Sequence, residues 1–183
     1  MQVSGQEAEA RYRTLVAELE AEGVRLLPKD RVWHQRVIDV LLTIVTLGAQ
    51  GSFLDRYVTT IGRTIYLTPN WASRTAADRY ATLRHEAVHL RQFRRWGLVP
   101  MAVAYLLLPL PFGLAWFRMR LEREAYAETV RIQHELGGRA ATDAIRAHVI
   151  RQFTSGSYGW MWPFPRSIAR WYDGLVDSLD HPL

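Results

Sequence analysis

The residues with the clearest chemical meaning are His85 and His89, which enclose Glu86 in the pattern His-Glu-Ala-Val-His. Side chains four positions apart lie one above the other on a helix face, so both imidazoles can reach one ion. Glu86 would project beside that ion, where it can hold a water molecule without binding the metal. Zinc lowers the pKa of such a water to about 7, and the carboxylate takes its proton as the water attacks a carbonyl. The pattern predicts a zinc site with Glu86 as general base.

Two other interpretations of these residues compete with a hydrolytic zinc site. The first is a helix with two surface histidines, but the flanking residues are small or apolar, as expected of a buried helix. The second is half of a di-iron carboxylate site, because Glu86 and His89 also form a Glu-x-x-His pair. Such a bundle needs a second Glu-x-x-His pair, and the sequence contains no other. The di-iron interpretation is therefore excluded.

A catalytic zinc ion usually has three protein ligands and a water, so a third ligand must come from elsewhere in the chain. The chain has no cysteine, which excludes disulfides and thiolate ligands and leaves histidine or carboxylate. A later helical segment offers three carboxylates, those of Glu122, Glu124 and Glu128.

The histidine motif followed by Leu121-Glu122-Arg123-Glu124-Ala125-Tyr126 resembles the gluzincins, whose third ligand is a Glu on a later helix. It is similar to the branches with an E-x-x-A-D or E-x-E-A-D signature, such as the CAAX prenyl proteases and their bacterial relatives. Gln92, three residues after His89, is similar to small bacterial proteins of the H-E-x-x-H-x-x-Q kind. The resemblance covers roughly residues 64–128 and rests on short motifs.

The resemblance implies a zincin-like metallopeptidase domain and marks Glu122 as the third ligand, three residues before Ala125. The family usually has Asp where this chain has Tyr126, and that Asp orients a zinc-bound His. Glu124 remains an alternative ligand, in which case Glu128 could orient a His.

A gluzincin-type enzyme also needs a donor for the oxyanion that develops on the attacked carbonyl. Tyr158 is the candidate, because Gly156 and Gly159 on its two sides would let its loop approach the cleft. His134 and His148 are alternatives.

The pattern of apolar residues predicts a mainly helical α+β fold in a single domain, residues 1–183. Residues 57–67 alternate and are β-branched, which predicts an edge β-hairpin with its turn at Gly62 and Arg63. The motif helix follows, capped by Ser73 or Thr75 and ending at Trp96. Further helices are predicted over residues 7–22, 37–49, 118–136 (ending at Gly137-Gly138), 142–153 and 168–179.

Residues 97–117 form an apolar insert without a charged side chain, long enough for a membrane span of about 20 residues. Pro100, Pro109, Pro111 and Gly113 would break a straight helix there. The insert separates the two metal-binding elements, so a single span would leave the ligands on opposite sides of a membrane. Three arrangements stay open: a buried helical hairpin, which is the simplest, a re-entrant loop in lipid, and a span paired with residues 37–49.

Composition narrows the classes of partner. The chain is 49% hydrophobic, which excludes a disordered protein. The net charge is +5, and nearly all the positive charges are arginines. They are scattered, apart from a cluster of Arg91, Arg94 and Arg95 after the motif, and show no nucleic-acid-binding signature. We therefore expect no nucleic-acid partner, and an anionic membrane surface suits the charge better. Residues 1–22 lack the apolar segment of a signal peptide, so we expect a cytoplasmic protein, with the insert as a site of membrane-surface association.

Together these features predict a zinc metallopeptidase that acts on a peptide or protein. Two alternatives stay open. One is a non-catalytic interaction or membrane-associated scaffold protein that keeps a structural zinc site. The other is a peptidase that acts on membrane-embedded or lipidated substrates.

Overall fold

The computed structural model describes residues 3–29, 57–106, 115–155 and 161–181. Helices predominate, and one small sheet accompanies them, so the predicted mainly helical α+β class is confirmed. The elements follow in this order: α1 (Gly5–Ala21), β1 (Arg25–Pro28), β2 (Thr59–Ile61), β3 (Thr64–Leu67), a 3-10 turn (Trp71–Ser73), α2 (Ala76–Trp96), α3 (Leu98–Leu106), α4 (Trp116–Thr154) and α5 (Pro165–Asp180). The predicted helix over residues 37–49 lies outside the described residues.

The sheet has the strand order β1-β3-β2. β2 and β3 pair antiparallel with Ile61 opposite Thr64, so the loop between them is Gly62-Arg63, as predicted. Gly62 adopts a φ of 60°, a conformation that glycine reaches without steric cost. β1 pairs in parallel with β3 and was not predicted, because a four-residue strand shows no clear alternation. β2 is thus an edge strand of this sheet, next to the motif helix α2.

α2 begins and ends at residues with clear physical roles. The side chain of Thr75 accepts a hydrogen bond from the backbone N–H of Asp78, so Thr75, rather than Ser73, is the N-cap. Asp78 adds a negative charge to the first turn, where the helix dipole favours it. Gly97 ends the helix with a φ of 80°.

Two clusters of buried side chains hold α4 in place. The first joins α1, the sheet and α2 to α4, with Leu83 and Ile132 almost inaccessible. The second joins α4 to α5, around Phe153 and Tyr172. α4 changes direction at Gly138, whose φ of 64° and ψ of −158° are not helical. The predicted break at Gly137-Gly138 is therefore present, and the helical segments before and after it follow each other directly.

The described part of the apolar insert includes helix α3. Its Met101 is buried, but Leu98, Val99 and Val103 are exposed, which departs from a wholly buried hairpin. Residues 107–114, which contain the predicted hairpin turn, lie outside the described residues. Among the helices of the described segments, none combines the length and the apolar character needed to cross a bilayer.

Candidate metal centre

Packing between α2 and α4 brings the candidate ligands together. Leu83 on α2 and Ala125 on α4 are fully buried, and the small side chain of Ala125 lets the two helices approach closely. His85 and His89 lie one turn apart on α2. Glu122 faces them from α4 and is only 2% exposed. The insert separates the two helices in the chain, so only tertiary packing brings these side chains together.

The two imidazoles and one carboxylate form a compact group that could hold a metal ion. His85 Nε2 lies 3.6 Å from Glu122 Oε2, and His89 Nε2 lies 3.7 Å from Glu122 Oε1. The candidate ligand atoms all lie within 4.8 Å of one another. Two ligands of a tetrahedral zinc ion are about 3.4 Å apart when the metal–ligand bonds are about 2.1 Å long. The three side chains therefore fit one ion after small movements.

Both histidines are oriented by hydrogen bonds to their Nδ1 atoms. His85 Nδ1 lies 3.1 Å from the Thr129 hydroxyl, which itself donates to the carbonyl of Ala125. That hydroxyl can therefore accept from His85 Nδ1–H. His89 Nδ1 lies 2.9 Å from Gln92 Oε1, which as an amide oxygen can only accept. Both rings thus present Nε2, the atom that would bind the metal, towards Glu122.

Gln92 links the two helices through its amide nitrogen. Gln92 Nε2 donates to the carbonyl of Leu121 at 3.1 Å and to Glu124 Oε2 at 2.9 Å. The donors of this amide are therefore held by α4, and its oxygen is held in place for His89. This network explains the place of Gln92 three residues after the second histidine, on the same face of α2.

Glu86 stands beside the metal group without belonging to it. Its Oε2 accepts a hydrogen bond of 2.6 Å from the Thr60 hydroxyl, and both side chains are buried. Thr60 lies in the edge strand β2. The strand thus positions the carboxylate that the sequence predicts to be the general base.

The metal-free group concentrates negative charge around His85. Burial disfavours the charged imidazolium of His85, but the attraction of the Glu122 and Glu86 carboxylates outweighs burial and raises the pKa of His85. A positive charge at this place is therefore favoured, and a proton supplies it when no metal does.

The structure places the remaining carboxylates of α4 in other roles. Glu122 is the one that meets the imidazoles, whereas Glu124 bonds to Gln92. Glu128 is paired with Arg84, whose Nε lies 2.9 Å from Glu128 Oε1. Glu128 therefore binds Arg84 and does not have the role of orienting a histidine.

Tyr126 occupies the position where the resembling family has an Asp that orients a histidine. Its ring packs edge-on against His85, with centroids 4.8 Å apart. The hydrogen-bond partner of His85 is instead Thr129, one helical turn further along α4, which accepts from His85 Nδ1–H. Thr129 and Thr60 were both missed by the sequence analysis. Thr129 could have been found, because it shares a helix face with Glu122, Ala125 and Tyr126 at spacings of seven, four and three residues. Thr60 gives no such signal.

The candidates for the oxyanion donor have different locations. Tyr158 lies outside the described residues, so its role stays a prediction. His134 is engaged by Asp180 of α5, with 2.8 Å between Nε2 and Oδ1. His148 lies on the last part of α4 near Gln152, and burial together with the charge of Arg151 lowers its pKa.

No protein-family model, no curated protein and no solved structure matches this chain. The site is characterised by its geometry: two imidazoles and one carboxylate face one point, and a second carboxylate, held separately, lies beside them.

Proposed function

We propose that this chain is a zinc-dependent peptidase in which His85, His89 and Glu122 bind the metal and Glu86 is the general base. The proposal rests on one observation: the two buried carboxylates have different partners. Glu122 faces both Nε2 atoms, whereas Glu86 is held by Thr60 and stays outside the group of ligand atoms. Two histidines and one glutamate with a fourth position left for water are a known catalytic zinc set.

The donor set supports zinc as the metal. Imidazole nitrogen and carboxylate oxygen suit zinc, and calcium or magnesium would favour oxygen donors alone. When bound, zinc would polarise the substrate carbonyl and make a neighbouring water molecule more acidic.

Glu86 would act on the proton of the attacking water. Its Oε2 is occupied by the Thr60 hydroxyl, which leaves Oε1 as the atom that accepts the proton. After the carbonyl is attacked, the same carboxylate can pass the proton to the leaving amine. Thr60 keeps Glu86 in one rotamer, so little reorganisation is needed in the reaction.

The critical experiment separates metal binding from hydrolysis. We expect Glu86→Gln to retain one zinc ion per chain, measured by mass spectrometry, and to lose cleavage of a quenched-fluorescent peptide library. His85→Ala should lose both the metal and the activity. His134→Ala is the matched control, because it removes a histidine that pairs with Asp180 and should keep both. Undiminished cleavage by Glu86→Gln would exclude the proposed mechanism.

The low exposure of the site favours one alternative, a structural zinc site in a non-catalytic protein. His89, Glu122 and Glu86 are all buried, and a closed site would bind zinc without admitting a substrate. In that case the unaltered protein would hold zinc with four protein ligands and cleave no member of the library.

A further inference from the structure

The surface between α2 and α4 contains a cleft of about 910 Å³ whose walls are rich in arginine. We call it the arginine cleft. Among the described residues, Arg131 pairs with Glu128 at 3.6 Å, but the other arginines of the cleft have no ion pair with a carboxylate. The arginines of the cleft are Arg91, Arg95, Arg120, Arg123 and Arg131.

Positive charge in the arginine cleft exceeds the negative charge of its walls. Its carboxylates, on Glu124 and Glu128, are engaged by Gln92 and Arg84. Burial and the neighbouring charge of Arg120 lower the pKa of Arg123, so the two guanidinium groups repel each other. An anion bound between them would relieve that repulsion.

Aromatic rings accompany the arginines. The guanidinium of Arg120 lies 5.2 Å from the ring centroid of Trp116, and that of Arg123 lies 5.1 Å from the ring centroid of Trp171. Both pairs are cation–π contacts. They leave the guanidinium N–H groups able to donate to an oxyanion.

Exposed apolar side chains lie in the wall of the arginine cleft and on α3, which packs against both α2 and α4. We call them the apolar rim: Trp96, Leu98, Val99, Val103 and Phe117. Trp96 lines the cleft and is 40% exposed. Beyond Gly97, Leu98 and Val99 are 55% and 70% exposed. Val103 and Phe117 are exposed as well. Large apolar side chains that stand together in water next to arginines are typical of a surface with a partner.

We propose that the arginine cleft and the apolar rim together bind an anionic membrane surface, with lipid phosphates in the cleft and the rim side chains in the interfacial region. Arginine binds phosphate through paired N–H donors, and tryptophan favours the boundary between headgroups and acyl chains. A nucleic acid would also offer phosphates, but its backbone would make no apolar contact with the exposed aliphatic side chains of α3. A bilayer offers phosphates to the arginines and an apolar environment to the rim.

This inference does not depend on hydrolysis. Gln92 lines the arginine cleft and contacts His89 as well, so the metal centre lies one side chain away from the membrane-binding surface. The Glu86→Gln variant should therefore bind vesicles as the unaltered protein does, whatever its activity.

The experiment is sedimentation with vesicles of phosphatidylcholine alone and with vesicles that also contain phosphatidylglycerol. The anionic vesicles should be bound, and binding should weaken with added salt. Each arginine near an anionic surface contributes about a fivefold gain in partition, so Arg91→Gln with Arg95→Gln should weaken binding roughly thirtyfold. Arg151→Gln with Arg166→Gln removes the same charge from exposed positions outside the cleft and should weaken binding less than about fivefold.

A second pair of substitutions tests the apolar rim. Leu98→Ser with Val99→Ser should reduce partition into anionic vesicles, while circular dichroism shows an intact fold. Equal binding of neutral and anionic vesicles, or equal losses in the two arginine pairs, would overturn the proposal. So would tight binding of duplex DNA that is lost on changing Arg91 and Arg95 but insensitive to the serine substitutions, because it would assign the cleft to nucleic acid.

Discussion

A substitution at Thr129 tests how the proposed metal ligand His85 is oriented. Thr129→Val replaces the hydroxyl by a methyl group of nearly equal volume, so the packing of α4 against α2 should persist. The change removes the acceptor for His85 Nδ1–H, 3.1 Å away. Without it, the ring can rotate or adopt the other tautomer, and Nε2 is no longer held towards Glu122.

The size of the effect follows from the buried donor that is left without an acceptor. His85 has low exposure, so an unpaired N–H there costs about 1–3 kcal/mol. The metal-free protein already bears part of this cost. Loss of such an orienting partner typically weakens metal affinity about 10-fold to 100-fold. We expect zinc affinity to fall within that range.

Competition with a chromophoric chelator measures the zinc affinity directly. Thr129→Ser is the matched control, because it keeps the hydroxyl and loses only a methyl group, and its affinity should stay within about threefold of the unaltered protein. If Thr129→Val bound zinc as tightly as the unaltered protein, or if Thr129→Ser were equally impaired, the hydroxyl would have no orienting role.

Four further predictions concern the general base, the pH dependence of the metal site and of stability, and the kink in α4. Thr60→Val should lower kcat about tenfold with zinc content unchanged, because Glu86 loses the hydrogen bond that holds it; steady-state kinetics and metal analysis check this. Zinc affinity should fall as pH decreases. The raised pKa of His85 keeps a proton on its ring, and this proton must leave before zinc can bind. In the metal-free protein the same raised pKa stabilises the fold below pH ~6.5, and this stabilisation is lost as the pH rises through the pKa of His85 in the folded protein. Urea titrations across pH, with and without zinc, measure the effects on zinc affinity and on stability. Gly138→Ala should lower the free energy of unfolding by about 1–3 kcal/mol, because its backbone conformation is essentially restricted to glycine; Gly5→Ala, which meets no neighbouring atom, is the control in urea unfolding.

Local signals predicted much of the fold correctly. The β-branched alternation and the Gly62 turn indicated the hairpin, and the glycine pair at 137–138 indicated the change of direction in α4. β1 was missed because its four residues show no clear alternation. Its pairing with a strand almost forty residues further along the chain leaves no local pattern either.

From the sequence, only the part of the site that lies on a single helix could be predicted. The spacing of His85 and His89 already implies a shared face, whereas the choice between Glu122 and Glu124 depends on how α4 is rotated against α2. That rotation is set by the buried positions of α4, such as Ala125 and Val130. Thr60 reaches Glu86 through sheet pairing, and neither residue type nor spacing indicates that contact.

X-ray absorption spectroscopy of the purified, zinc-loaded protein tests the central claim most directly. We predict one zinc ion per chain with two imidazole nitrogens and oxygen donors at about 2.0–2.1 Å, and loss of the imidazole signal in a His85→Ala, His89→Ala double variant. A protein that retains no zinc at stoichiometric concentration, or a zinc ion whose spectrum is unchanged in that double variant, would contradict it.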